Sequence, residues 1–155
     1  MKLLIALFSI LFCCLADAEI SFTENVIRGG NYHSVHFGDI DSDNDMDLVA
    51  IFNDGDSVSW FQNDGSGDFT EFTVVSRVNL GARDAKIVDL NKDNNVDIVI
   101  VSDKETSIYW YRNNGSEVFT EESLFNNFSL YNTLQVADLD GDNDFDLVTS
   151  SFGGF

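Results

Sequence analysis

The sequence predicts an all-β fold built from a repeated unit, and three observations carry that prediction. An acidic nine-residue stretch is written three times, from Asp39 to Asp47, Asp89 to Asp97 and Asp138 to Asp146. The starts of these stretches are 50 and 49 residues apart, a period that belongs to propeller blades or solenoid units. Between them lie short runs of β-branched and aromatic residues, often alternating apolar with polar and separated by Asn and Gly turn signals, which is how half-buried strands joined by tight turns are written.

In chain order, Lys2 precedes an apolar run, Leu3 to Leu15, that ends in the small-residue pattern Ala16, Asp17, Ala18. Residues 1–18 read as a secretory signal peptide cleaved after Ala18. The run is shorter than the roughly 20 residues of a spanning helix, and no later segment is long enough, so no membrane span is expected. Cys13 and Cys14 both lie inside this signal, which leaves the mature chain without disulfides in an oxidising compartment. The net charge of −19 makes nucleic acid an unsuitable partner. An acidic chain can also be disordered, but 44% apolar content with 14 Phe and 2 Trp points to a packed core.

Residues 19–30 read as a leading strand. Ile20 to Ile27 contains Phe22, Thr23, Glu24, a triplet that returns at 69–71 and 119–121 in the fourth strands of later units, so this segment is the outer strand of a blade. Repeat 1 spans 31–79. Its first strand sets Val35 and Phe37 around His36, predicting one buried apolar face. The acidic loop follows, then Leu48 to Phe52, apolar enough to be buried on both faces. The third strand carries Trp60 and Phe61, and the fourth runs from Phe69 to Val75. Repeat 2, residues 80–129, has Ala85 and Ile87 around Lys86, then Ile98 to Val101, Tyr109 to Tyr111, and Phe119 to Phe125. Repeat 3, residues 130–155, has Leu134 and Val136 around Gln135 and then Leu147 to Thr149, and is truncated. The triplets Asn63, Asp64, Gly65 and Asn113, Asn114, Gly115 are hairpin turns, where Asn and Gly supply positive φ.

Four antiparallel strands per unit of this length describe a propeller blade, so the fold class is a partial β-propeller of about two and a half four-stranded blades, against the four to eight of a typical ring. Trp60 and Trp110 each fall 13 residues after the ninth loop position, and the third would fall past Phe155. This predicts a piece of a longer protein, in preference to several chains assembling into one ring.

The acidic loops carry the chemistry. Carboxylates or amides at positions 1, 3, 5 and 9, with a backbone carbonyl at position 7, can converge on one hard cation, and calcium accepts six to eight such oxygens in irregular geometry. The simpler reading is an acidic, solvated turn; three copies in phase favour the ion. An EF-hand would need Glu at position 12 and flanking helices. Position 12 is Ala50, Ile100 and Thr149, and strands follow. Position 6, where the chain must turn sharply, is Asn44, Asn94 and Asn143, a residue that enters the left-handed region readily.

The run Val136, Ala137, Asp138, Leu139, Asp140, Gly141, Asp142 with Asp146, Leu147, Val148, and the run from Trp110 to Phe119, resemble the FG-GAP/VCBS repeat over nearly all of residues 20–155. The resemblance implies the calcium-loop β-propeller of integrin α-subunits and many secreted repeat proteins. It implies as ligands Asp39, Asp41, Asp43, Asp45 (through its carbonyl) and Asp47; Asp89, Asn91, Asp93, Asn95 (through its carbonyl) and Asp97; and Asp138, Asp140, Asp142, Asp144 (through its carbonyl) and Asp146. All three loops depart from the family's Gly at position 6. The second has one fewer carboxylate and a neighbouring Lys92, and is expected to bind calcium weakest.

No nucleophile or tuned acid–base pair stands out, so an enzyme is not expected. His33 and His36, three apart on a strand, face opposite sides and make a poor metal pair. Trp60 and Trp110 recur once per unit and read as packing between blades rather than sugar platforms. Asn114 and Asn127 begin glycosylation sequons that matter in a eukaryote. The function expected is a secreted, calcium-stabilised, non-catalytic binding or adhesion module whose partner is an extracellular protein or glycan. Alternatives are a lectin-like propeller or the scaffold of a larger extracellular enzyme.

Overall fold

The computed structural model describes residues 24, 26–116, 118–126 and 131–151, without the side chains of Tyr131 and Ser151. The expected signal peptide with Cys13 and Cys14, most of the expected leading strand including Phe22 and Thr23, the sequon residue Asn127, and Gly153 and Gly154 lie outside these residues.

The β-branched and aromatic runs form ten strands: β1 (Tyr32–Gly38), β2 (Asp47–Phe52), β3 (Ser57–Asn63), β4 (Phe69–Ser76), β5 (Ala82–Val88), β6 (Asp97–Ser102), β7 (Ser107–Asn113), β8 (Phe119–Asn126), β9 (Tyr131–Ala137) and β10 (Asp146–Ser151). Strands β1 to β4 pair in sequence order as sheet I, β5 to β8 as sheet II, and β9 with β10 as sheet III, all antiparallel. The described residues contain no helix, and so none long and apolar enough to cross a membrane. Register breaks recur at the same place in sheets I and II, at Tyr32/Ser34 and Ala82/Asp84, and again at Val58/Ser59 and Ile108/Tyr109. A bulge bends and twists its strand, so the two sheets are shaped alike.

Period-two alternation decides which side chains meet. From β2 and β3, Val49, Ile51, Val58 and Trp60 point toward sheet II and bury against Ala85, Ile98, Ile100 and Tyr111. Trp60 stacks on Phe72 with ring centroids 4.9 Å apart and meets Phe119 of sheet II edge-on at 6.2 Å. The opposite faces of β6 and β7 put Val99, Val101 and Ile108 on Leu134 of sheet III, with Trp110, Val136 and Leu147 packed around them. Strand β6 is thus buried between two sheets, while the other face of β2, Leu48 and Ala50, is buried with Phe61, Tyr32 and Phe69 of its own sheet. Each fully buried Val, Ile or Leu contributes about 1.5–3 kcal/mol, so these two interfaces dominate the stability of the stack.

One expectation fails at the first sheet. Val35 and Phe37 alternate with His36 as a buried face should, yet they are 45% and 70% exposed while His36 is half-buried. The same alternation in β5 and β9 buries Ala85 and Leu134. The difference is the neighbour: Ala85 and Leu134 face the preceding sheet, and no described sheet precedes sheet I.

Polar groups join the first strands β1, β5 and β9, which lie side by side. Asp84 of β5 reaches both neighbours. Its Oδ1 is 3.2 Å from His36 Nε2, its Oδ2 accepts the Leu134 N–H at 2.8 Å, and Lys86 Nζ lies 3.2 Å from Oδ2. Burial opposes ionisation of this carboxyl, but His36, the Leu134 N–H and Lys86 outweigh it and lower its pKa from 3.8 to about 2. A depressed carboxyl pKa adds stability that is complete above the unfolded value and is lost as pH falls through the folded one. Asp84→Asn is therefore expected to cost about 2 kcal/mol at pH 7, an amount set by the size of the pKa shift. In urea unfolding the gap between the two proteins should close as pH drops from 4 toward 2; a gap independent of pH would assign the loss to packing instead.

Candidate metal centre

The three acidic loops join first to second strands: β1 to β2, β5 to β6 and β9 to β10. Each is wound by two left-handed residues. Position 6 has φ of 74°, 70° and 72° at Asn44, Asn94 and Asn143, the turn expected there. Position 4 is left-handed as well, at Ser42 (66°), Lys92 (60°) and Gly141 (80°), a feature that residue type alone did not announce, since Ser and Lys rarely adopt it.

The windings turn backbone N–H groups inward onto the side chains. In the first loop the Asp43 N–H donates to Asp39 Oδ1 at 3.1 Å and to Asp41 Oδ1 at 3.3 Å, and the Asn44 N–H to Asp39 Oδ2 at 3.1 Å. The second loop repeats this with Asp93 and Asn94 donating to Asp89 at 3.0 and 2.8 Å. In the third, Gly141 and Asn143 donate to Asp138 at 2.7 and 3.0 Å. Position 5 accepts from position 7 in every loop, at 2.8 Å: Asp45 to Asp43, Asn95 to Asp93, Asp144 to Asp142.

Position 9 is different. Asp47 and Asp97 are fully buried, and both oxygens of each are taken by backbone donors. Asp47 accepts from Ile40 at 3.0 Å and Asn63 at 2.8 Å; Asp97 accepts from Leu90 at 3.1 Å and Asn113 at 2.8 Å. Burial pushes both carboxyls above the ordinary aspartate range, against the pull of these N–H groups. The Trp60 and Trp110 indole N–H groups make no hydrogen bond of good geometry, yet they lie near enough to Asp47 and Asp97 to favour the ionised form.

Carboxylate oxygens of Asp39, Asp41 and Asp43 lie within 4.8 Å of one another, as do those of Asp138, Asp140 and Asp146. At that distance each pair repels by roughly 3 kcal/mol at an effective dielectric of 20 and by about 1 kcal/mol in bulk water. A hard divalent cation would turn this repulsion into coordination, and an all-oxygen donor set suits calcium. The donors present therefore fit the ion. Asp47 stands behind its cluster, while Asp146 joins its own, keeping one bond from the Leu139 N–H at 2.9 Å. In the second loop amides replace part of the charge. Asn91 Nδ2 donates to Asp93 Oδ2 at 2.8 Å and Asn95 Nδ2 to Asp93 Oδ1 at 2.9 Å. The Asn95 N–H and the Asn91 amide are the main causes that hold the Asp93 carboxyl below its ordinary range.

Two residues assigned to hairpin turns have a larger role. Asn63 and Asn113 end β3 and β7, and positive φ falls instead on Gly65 (76°) and Gly115 (77°). A Cβ at Gly65 would stand 2.4 Å from Asp45 Oδ2, and one at Gly115 2.7 Å from Asn95 Oδ1, so each loop rests on its hairpin. Asn113, buried, donates to Val96 O at 3.1 Å and across to Ile40 O of the first loop at 3.2 Å. Asn63 donates to Met46 O at 3.2 Å from an exposed position. The signal was present, since both asparagines fall 16 residues after the ninth loop position. Their partners were not. Of the remaining candidates, His33 is exposed and His36 half-buried, on opposite faces of β1, and Asn114 lies exposed on its turn.

Replacing Asn113 with Ala strands the buried Ile40 carbonyl and the partly buried Val96 carbonyl, which costs about 1–3 kcal/mol for a buried group left unsatisfied. Asn63→Ala should cost under about 1 kcal/mol, because water reaches its site. Thermal melts of the two variants test this: equal shifts would remove the cross-link between loops as an explanation.

Residues 89–149, from the second acidic loop to within β10, match the family of the FG-GAP-like repeat. No curated protein matches the chain. The matched segment contains both the amide-rich loop and the third loop with its convergent carboxylates, joined by the strands that hold them. That segment is an FG-GAP-like repeat, and the chain is consistent with an FG-GAP-like repeat protein.

Proposed function

We propose that this chain is a secreted, calcium-stabilised β-propeller segment of about two and a half blades, with repeats at 31–79, 80–129 and 130–155, and that it serves as a non-catalytic binding or adhesion module. The convergence of carboxylates in the first and third loops carries the calcium assignment. Adjacent first strands β1, β5 and β9 support the propeller reading, since these are the strands that neighbouring blades bring together. Asp39, Asp41 and Asp43 would hold one ion and Asp138, Asp140 and Asp146 another, with Asp89 and Asp93 supplying the weaker second site. The ion would supply charge neutralisation. The chain's own N–H groups already orient the ligands, so the loop stays ordered and its strands stay in register.

A catalytic role finds no support in the one polar cluster that resembles one. His36 Nε2 is the atom near both Ser34 Oγ, at 3.3 Å, and Asp84 Oδ1, at 3.2 Å. A relay needs the base and the orienting carboxylate on different ring nitrogens. A sugar platform at Trp60 is disfavoured too, because both faces of that ring are buried. The partner, an extracellular protein or glycan, would be met by loops rather than by Trp60.

Calorimetric titration of calcium into chelator-stripped protein should find close to three sites, with affinities of roughly 10⁻⁴ to 10⁻³ M, as befits an extracellular module. Asp140→Asn should abolish one strong site and Asn91→Asp should strengthen the weak one. A folded chain that takes up no calcium would overturn the assignment, and equal affinity at all three loops would refute the ranking.

A further inference from the structure

The apolar contacts between neighbouring sheets reuse the same two surfaces. The surface that meets the following sheet carries position 2 of the acidic loop and the third residue of the second strand: Ile40 and Val49 on sheet I, 2% and 0% exposed. The surface that receives them on sheet II carries Ile87, Ile98, Ile100 and Tyr111. Both surfaces occur again at the two ends of the stack. On sheet III, Leu139 and Val148 stand 99 residues after Ile40 and Val49 and are 66% and 45% exposed. On sheet I, Phe37, Leu48, Ala50 and Phe61 stand 50 residues before Ile87, Ile98, Ile100 and Tyr111 and line a groove of about 490 Å³, with Phe37 exposed at its edge and the other three buried at its floor.

The rim of that groove is built like the rim of the contact between sheets I and II. There, Arg77, just past β4, pairs with Glu121 of β8. At the groove, Arg28 pairs with Glu71 of β4. Arg28 precedes Arg77 by 49 residues and Glu71 precedes Glu121 by 50, so the segment carrying Val26 and Ile27 stands against sheet I as the end of β4 stands against sheet II. The groove thus has the shape, lining and rim of a surface that receives another sheet of this kind, and the matching insertion surface is on the same chain.

We propose that the chain associates head to tail with a second copy of itself, the Leu139 and Val148 surface of one copy seating in the Phe37-lined groove of the next. Such a contact is heterologous: each copy uses one surface and leaves the other free, so it propagates until it closes. The net charge of −19 opposes association, so screening salt strengthens it.

Sedimentation equilibrium of the purified chain in calcium and raised salt tests the proposal. The weight-average mass should climb above that of the monomer as concentration increases. Leu139→Asp and Phe37→Asp change exposed side chains, so both variants should keep the far-UV dichroism of the parent, and each alone should remain monomeric. Mixed together they should form a one-to-one dimer and nothing larger, because the mixture holds one intact copy of each surface. A parent chain that stays monomeric at every concentration overturns the proposal, and so does a single variant that still associates or a mixture that does not. None of these results depends on how many calcium sites the chain has.

Discussion

A carboxylate with no exposure to water is the constraint on which the rest of this structure depends. Burying an ionised group without partners would cost more than a small domain's whole stability, and Asp47 and Asp97 are tolerable because each oxygen receives a backbone N–H. The two donors come from different places. One, from Ile40 or Leu90, belongs to the loop; the other, from Asn63 or Asn113, belongs to the end of the third strand. Satisfying the aspartate therefore pins the loop to the sheet before any ion is considered. The pin then sets where position 2 goes. Ile40 is held in the interface with sheet II, and its carbonyl is taken by Asn113 of that sheet. One buried aspartate thus connects a turn, a hairpin and the packing of the neighbouring sheet.

This arrangement makes the protein a series in which each sheet completes the one before it. Apolar interfaces supply most of the energy, while Asp84, Asn113 and Arg77 fix the angle and register at which the sheets meet. Arg77 contacts Glu105 and Glu121 and lies over the Tyr109 ring at 4.6 Å. None of these ties is large alone, and surface ion pairs are worth little, but each joins a residue of one sheet to the next. Repeat architectures behave in this way, with stability shared between units and their nearest-neighbour contacts.

The strands were legible in the sequence because their signals are local. Period-two alternation, β-branched runs and Asn-Gly turns placed all ten, although the described residues 24, 26 and 27 of the expected leading strand form no strand. Burial was less legible because it depends on what stands opposite. Val35, Phe37 and Leu139 carry the same apolar pattern as Ala85, Ile87 and Ile40, and nothing in their own neighbourhoods separates exposed from buried. The candidate site divides in the same manner. The acidic positions and the Asn turns at position 6 could be read from one loop, whereas the left-handed backbone at Ser42 and Lys92 and the roles of Asn63 and Asn113 are imposed by the closed loop and by the strand that caps it. Asp84 was missed altogether, since its partners lie on three different sheets.

The second loop separates what serves the ion from what serves the fold. It lacks a carboxylate at position 3, where Asn91 instead gives an N–H to Asp93. It carries Lys92 at position 4, whose ammonium lies 3.5 Å from Asp144 of the third loop. Arg112 stands where Gln62 donates to Asp41 in the first unit, and its charge adds to the forces lowering the Asp93 carboxyl. The amide at position 3 and Arg112 make the potential at the second loop more positive, and both would lessen what a cation could gain there. Yet Asp97, Leu90 and Asn113 keep the hydrogen-bonding pattern of the first loop to within 0.1 Å. In the second loop the anchoring contacts of Asp97 therefore persist although the candidate ligand positions have changed. Amide and cation replacement at the candidate ligand positions leaves the loop still holding two sheets together, because the partners of the anchoring aspartate are backbone N–H groups.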